Sequence, residues 1–381
     1  MQYADTHRPR AALVASGVGL VLALTGCTLT GGEDEPETGG SDQQNPSENA
    51  GSTSETSPRM GEVVLVTHDS FTLPDEVLDG FTEQTGYDLV VQASGDAGSL
   101  TNQLVLTKGS PLGDAVFGID NTFATRAVDE GVLTAYVPAD LPDATAEHAL
   151  PGESADYLTP VDYGDVCVNV DDAWFAQEGI DPPETLQDLT DPTYEGLFVT
   201  PGASSSSPGL AFLLATVGEF GEDGWAAYWQ DLMANGASVT SGWSDAYGVD
   251  FTFSGGDRPI VLSYASSPPF TIPEEDAADG AGEPSTSALL DTCFRQVEYA
   301  GVLEGAANPE GAQALVDYLL SEQVQAAIPD SMYMFPVTDV ELPDLWAQWA
   351  QVAEDPIDID PALIEERRED WVREWADIAT G

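Results

Sequence analysis

Positive charge is what this chain has least of. Lys and Arg together number 10 against 67 Asp and Glu in 381 residues, a formal net charge of -57, and Lys108 is the single lysine. A surface so poor in basic groups cannot neutralise a phosphate backbone, which excludes a nucleic-acid binder, and anionic lipid or polyphosphate surfaces would repel it. Cysteine and histidine are fewer still, at three each: Cys27, Cys167, Cys293, His7, His68 and His148. None of them is grouped at metal-site spacing, so no metal site is expected, and no resident cofactor is expected either. Long apolar runs are missing too, the stretch from Ala11 to Leu24 being shorter than a comfortable membrane span. No internal repeat recurs at a fixed period. What is present is enough for a sizeable core, with 42% hydrophobic residues and 8 Trp. The acidity therefore belongs to a solvated surface, one that could concentrate a cationic ligand.

The N-terminus sets the compartment. His7, Arg8 and Arg10 precede the apolar run, which ends in Leu24-Thr25-Gly26-Cys27. That is the reading of a bacterial lipoprotein signal, with residues 1–26 removed and Cys27 acylated on the outer face of the cell membrane. The alternative is a soluble secreted protein with a chance cysteine. Residues 27–60, rich in Gly, Ser, Thr, Glu and Pro, read as the lipidated cysteine and a disordered tether, and the folded region as 61–381. In an oxidising location two lone cysteines more often pair than stay free, so Cys167 and Cys293 are expected to form a disulfide, and their strand-like runs make a bridge between neighbouring strands geometrically reasonable.

From Gly61 onward short β-branched runs alternate with helical ones, the pattern of an α/β protein. Strands are predicted at Val63 to Val66, Asp88 to Val91, Asp114 to Gly118, Val166 to Val170, Gly196 to Val199, Ile260 to Tyr264 and Phe294 to Tyr299. Helices are predicted from Pro74 to Gly86, after Pro208, around Gly224 to Ala234, at Pro309 to Ser321, and from Pro361 to Ala379.

Certain segments stand in a fixed order along this region: Thr67-His68-Asp69-Ser70-Phe71, Gly118-Ile119-Asp120-Asn121, Val161-Asp162-Tyr163-Gly164, Ser205-Ser206-Ser207-Pro208-Gly209-Leu210, Gly242-Trp243-Ser244-Asp245-Ala246-Tyr247-Gly248, Leu262-Ser263-Tyr264-Ala265-Ser266-Ser267-Pro268, and Ala327-Ile328-Pro329 leading to Met334-Phe335-Pro336-Val337. With these the chain resembles the substrate-binding proteins of bacterial ABC importers, and among them the thiamine-binding family. The resemblance implies a two-lobed α/β, type II periplasmic-binding-protein-like fold that closes on its ligand by a hinge. Lobe one would comprise about 61–161 and 299–381, lobe two about 162–298. It also implies a monomer that binds thiamine, or a thiamine phosphate, and delivers it to an ABC permease without chemistry.

Thiamine carries a cationic thiazolium, a flat aminopyrimidine and a hydroxyethyl arm, so its site needs aromatic faces, a carboxylate and small polar donors. Trp243, Tyr247, Tyr264 and Tyr333 are the candidates to stack on the rings; the bland alternative is that they are core aromatics. Trp243 lies in a loop-like run, whereas Trp346, Trp349, Trp371 and Trp375 sit at helical spacing and read as packing residues. Asp69, Asp120 and Asp162 end apolar strands, where ligands of open α/β sheets bind, Asp120 being the leading acid; the alternative for each is a cap or turn residue, a role that suits Asp69 as well as ligand binding does. Their neighbours Ser70, Asn121 and Tyr163, together with Ser267, complete the polar set. Ser206 and Ser207 lead into a helix with Pro208 near its first turn, and free N-H groups there would suit a hydroxyl or a phosphate; otherwise one hydroxyl simply caps the helix.

Two positions depart from the family pattern: His68 stands where a tyrosine is usual, and Tyr333 where a tryptophan is. A histidine beside a bound cation favours its neutral form, so binding is expected to weaken as pH falls. Two other classes remain open. One is a receptor for iron, a polyamine or another organic cation. The other is a thiamine-degrading transferase using Cys167 or Cys293 as nucleophile, against which stands the lack of any accompanying histidine. A serine hydrolase is disfavoured by the lack of a Gly-x-Ser-x-Gly elbow with suitably placed partners.

Overall fold

A computed structural model describes residues 60–278 and 280–380. Cys27, the expected signal segment and all but the last residue of the expected tether lie outside the described residues. The strands are β1 (Gly61–Thr67), β2 (Tyr87–Ala93), β3 (Ala115–Asp120), β4 (Leu133–Thr134), β5 (Thr159–Asp171), β6 (Phe198–Pro201), β7 (Ser238–Thr240), β8 (Ile260–Tyr264), β9 (Thr286–Ala288), β10 (Phe294–Leu303) and β11 (Phe335–Pro336). The α-helices are α1 (Asp75–Thr85), α2 (Ala97–Thr107), α3 (Ala124–Asp129), α4 (Asp172–Glu178), α5 (Ser207–Phe220), α6 (Trp225–Ala234), α7 (Trp243–Asp245), α8 (Glu274–Ala278), α9 (Pro309–Leu319), α10 (Glu322–Met332), α11 (Asp344–Trp349) and α12 (Pro361–Thr380). None of the described helices is long and apolar enough to cross a membrane.

Each apolar run read as a strand falls on one. The helix bounds follow the punctuation of the sequence: α1 lies between Pro74 and a left-handed Gly86, and α5 is capped by Ser206 with Pro208 in its first turn.

One sheet runs in the order β2-β1-β3-β10-β5-β8-β6-β7. Its ends are two parallel groups, β1 with β2 and β3, and β6 with β7 and β8. Between them β10 and β5 lie antiparallel to each other, β10 also to β3 and β5 also to β8. Two parallel halves joined by two long strands make the two-lobed α/β fold. The β10 register slips beside Tyr299 against both of its neighbours, an irregularity of the kind that bends a strand, at the point where it passes between the halves.

Each half has its own packing. Val63, Leu65, Phe81, Phe117 and Leu315 cluster around β1, while Phe198, Phe212, Trp229 and Leu262 pack around β6 and β8. Trp346, Trp371 and Trp375 are buried. The ring of Trp375 stands edge-on to Trp229 at 5.6 Å. The chain's last helix therefore joins the packing around β6 and β8, although the resemblance assigns residues 299–381 to lobe one. A disulfide links Cys167 of β5 to Cys293, the residue preceding β10.

Candidate functional site

A cavity of roughly 940 Å³, its open mouth included, opens between the two parallel groups. Its aromatic wall comes from an unexpected local structure. The run beginning at Trp243, read above as loop-like, is helical: Trp243–Asp245 forms one α-turn and Ala246–Asp250 a π-turn. The i, i+4 spacing stacks Trp243 on Tyr247, with centroids 5.0 Å apart and planes 14° from parallel. The Trp243 backbone N-H donates to Asp96 Oδ2 at 2.9 Å and its indole N-H to Ser263 Oγ at 3.1 Å, so the ring is held at both ends. Tyr264 stands edge-on to Trp243 at 6.4 Å, and Phe270 edge-on to Tyr333 at 4.9 Å. Tyr333 has φ 56, the single non-glycine residue of left-handed backbone among those described, and its carbonyl accepts from Ser266 Oγ at 2.6 Å. Strained backbone of this kind persists where the surroundings impose it, often at ligand sites.

Of the residues singled out in the sequence, Ser70, Ser207, Trp243, Tyr247, Tyr264, Ser267 and Tyr333 line this cavity. Asp69, Asp120, Asn121, Asp162, Tyr163 and Ser206 are not on its wall. Asp69 is exposed. The Asn121 amide bridges Arg295 O and Val297 N of β10. Tyr163 stacks between His148 and Phe335. Ser206 caps α5 by accepting from Gly209 N.

Asp120, fully buried, accepts from Thr122 N and Oγ1, from Phe123 N, and from Ser207 Oγ. Burial pushes its pKa up to about 6 in spite of those donors. It joins the end of β3 to the start of α5 and is a positioning group. Asp120→Ala leaves several buried donors without an acceptor, so a loss of about 3 kcal/mol is expected in urea unfolding. A change under about 0.5 kcal/mol would contradict that role.

The charged lining, Asp96 and Glu298, and the amide of Gln296 come from residues the strand-end criterion does not reach. Asp96 hides in the turn after β2. Its carboxylate caps α2 through Ala97 N at 2.7 Å and also accepts from Ser207 N at 3.1 Å. It therefore occupies the helix N-terminus where an anion would otherwise sit. Gln296 and Glu298 share one face of β10 at a period of two. That spacing, a polar pair inside an otherwise apolar strand, was the available signal. Gln296 Oε1 accepts from the Tyr264 hydroxyl at 3.2 Å, whereas its buried Nε2 has no partner.

Glu298 faces Asp162 in register across β10 and β5, and burial together with Glu298 raises the Asp162 pKa well above the carboxylate range. Asp162 therefore holds its proton more readily than a free carboxyl does. On its other side Glu298 Oε1 lies 3.3 Å from His68 Nε2, while His68 Nδ1 accepts from Ser70 N at 3.2 Å. Gly118, at φ 95, makes room for that imidazole, for a Cβ there would stand 2.1 Å from His68 Cδ2. Burial would lower the His68 pKa, but Glu298, with Asp96 and Asp69 behind it, outweighs burial and raises it above 6.5. No Lys or Arg lines the cavity. Such a wall can hold a flat organic cation: aromatic faces for its rings, carboxylates for its charge, and an amide and hydroxyls for its polar edges.

Comparison with known proteins agrees in extent and fold. Residues 111–267 match the family of bacterial extracellular solute-binding proteins. The chain is 30% identical over 326 residues to the thiamine-binding periplasmic protein of Escherichia coli (strain K12), covering 84% of this chain and 94% of that one. It is 28% identical over 321 residues to that of Brucella melitensis, covering 82% and 90%. Among solved structures, a periplasmic thiamin binding protein superposes with a TM-score of 0.72 at 29% identity, covering 84% of this chain and 96% of that chain. A ferric binding protein from Campylobacter jejuni, with a TM-score of 0.65, 16% identity and coverage of 83% and 99%, shares the fold.

Proposed function

The chain belongs to the family of thiamine-binding periplasmic proteins, and we propose that, as a substrate-binding protein of an importer, it captures thiamine outside the cell and hands it to an ABC permease. The observation that carries this reading is a cavity with stacked aromatics and the carboxylates of Asp96 and Glu298 but no basic side chain except His68. A desolvated thiazolium over Trp243 or Tyr264 gains on the order of 2 kcal/mol, and Glu298 offsets its charge. The unpartnered Gln296 Nε2 is a donor for a pyrimidine ring nitrogen.

The unphosphorylated vitamin fits best. A phosphate would meet Asp96 and Glu298 with no Lys or Arg on the wall to neutralise it, and the Ser207 N-H that would bind it is already donated to Asp96. The protein acts as a monomer and performs no chemistry, the disulfide leaving neither Cys167 nor Cys293 as a thiol nucleophile. The Leu24-Thr25-Gly26-Cys27 sequence supports a lipid anchor on the outer membrane face.

Isothermal titration with thiamine, its mono- and diphosphate, and spermidine tests the proposal. Thiamine should bind at least about tenfold more tightly than either phosphate, an electrostatic penalty of about 1.4 kcal/mol or more, and spermidine should give no heat. Heat from spermidine alone would replace thiamine with another cation. The His68–Glu298 pair adds a pH dependence. Protonation of His68 places a positive charge beside the bound cation, and because the pKa lies above 6.5 the loss begins near neutrality. Affinity should fall several-fold between about pH 8 and about pH 6, with proton release on binding near the midpoint. Constant affinity over that range would contradict a thiazolium next to His68.

A further inference from the structure

Among the described residues, Lys108, Arg258, Arg295, Arg367 and Arg373 each sit in an ion pair with a carboxylate. Arg126 and Arg368 do not. In a chain with 67 acidic residues an unpaired guanidinium is the exception, and here the two exceptions are neighbours. Both line a second pocket, of roughly 590 Å³ with its open space, bounded by α3, the loop before α5 and α12.

Arg368 is 7% exposed. Its Nη1 donates to Thr122 O at 3.2 Å and its guanidinium lies 5.6 Å from the Phe123 ring centre, contacts that hold the group without neutralising it. Burial lowers its pKa, and the nearby charge of Arg126 lowers it further. A buried charge with no carboxylate paired to it is costly, so the buried Arg368 beside the half-buried, unpaired Arg126 points to a missing anion. Arg373, paired with Asp370, and the exposed hydroxyl-bearing Ser204 complete the wall, with Glu369 the one carboxylate on it. Asp129 and Asp120 also act on Arg368, but Asp120 is occupied by its own donors. The acidic remainder of the surface matters little at this range, because salt screens charges beyond about 8 Å at physiological ionic strength.

We propose that this pocket binds a compact tetrahedral oxyanion, inorganic phosphate or sulfate, gripped by Arg126 and Arg368. Guanidinium forks match such oxygens in pairs, and no single side chain of this pocket could supply the charge alone. The site is separate from the aromatic cavity and does not depend on what that cavity holds.

The test titrates the full chain with sodium phosphate, and separately with sodium sulfate, at ionic strength held constant with sodium chloride, reading the thermal unfolding midpoint and binding heat. Phosphate, sulfate or both should raise the midpoint saturably above chloride. R126Q removes one grip at a side chain with no ion pair among the described residues and relieves its repulsion of Arg368, so in chloride it should keep the wild-type far-UV spectrum and a midpoint at or above that of wild type. Its half-saturation should rise about tenfold or more, the effect of losing a charge-assisted contact. R126K, which retains the charge but not the fork, should fall between the two. Saturation by neither oxyanion beyond chloride overturns the site, as does an R126Q response equal to wild type.

Discussion

Trp243→Ala is expected to weaken thiamine binding about a hundredfold, about 2 to 3 kcal/mol, while the unfolding midpoint moves little. The indole is half-buried at the cavity wall, stacked on Tyr247 and fixed through Asp96 and Ser263, so its removal deletes the face offered to the cation and frees Tyr247 to move. Trp243→Phe keeps a face but loses the donor to Ser263, and about a tenfold loss is expected. Trp349→Phe, at a ring away from the cavity, should bind as wild type. Isothermal titration of the three variants decides the matter. If Trp243→Ala binds thiamine as well as the parent, the aromatic cavity is not the thiamine site.

Reduction of the Cys167–Cys293 disulfide should cost about 5 kcal/mol of stability with the affinity of the folded protein unchanged. The bond closes a separation of 126 residues, and in the chain-entropy account a loop of that length constrains the unfolded state by about that amount. It ties β5 to the start of β10, the two strands that connect the halves, and neither sulfur reaches the cavity wall. Urea unfolding of the oxidised protein against Cys167→Ala/Cys293→Ala would show it. A loss below about 1 kcal/mol would mean that the unfolded chain is already held compact.

Much of the local structure was legible in the residues. β-branched runs such as Ile260 to Tyr264 and the Pro and Gly bounding α1 act through neighbours in sequence, and they appear where the pattern places them. The aromatic members of the cavity, Trp243, Tyr247, Tyr264 and Tyr333, were legible through the segments that carry the family resemblance and the needs of a flat cation. Gly242-Trp243 carries no local helix signal, because its turn is completed from outside, by the Asp96 carboxylate accepting the Trp243 N-H. The strand-end acids meet the same limitation. Asp120 and Asp162 do lie in strands at the junction of the halves, but Asp120 turns to Ser207 and Asp162 to Glu298, which leaves Asp96 and Glu298 to face the cavity.

The sequence by itself determined the α/β class, the scarcity of basic groups, the cysteine pair and the supply of aromatic rings, because these follow from composition and from short-range periodicity. Tertiary structure alone decided that β10 runs between β3 and β5, that Glu298 meets both Asp162 and His68, that α12 packs on α6, and that Arg126 and Arg368 share one pocket. Those facts depend on strand register and on contacts between residues separated by more than a hundred positions. Such contacts are chosen by the burial of whole faces against one another, which no local segment encodes.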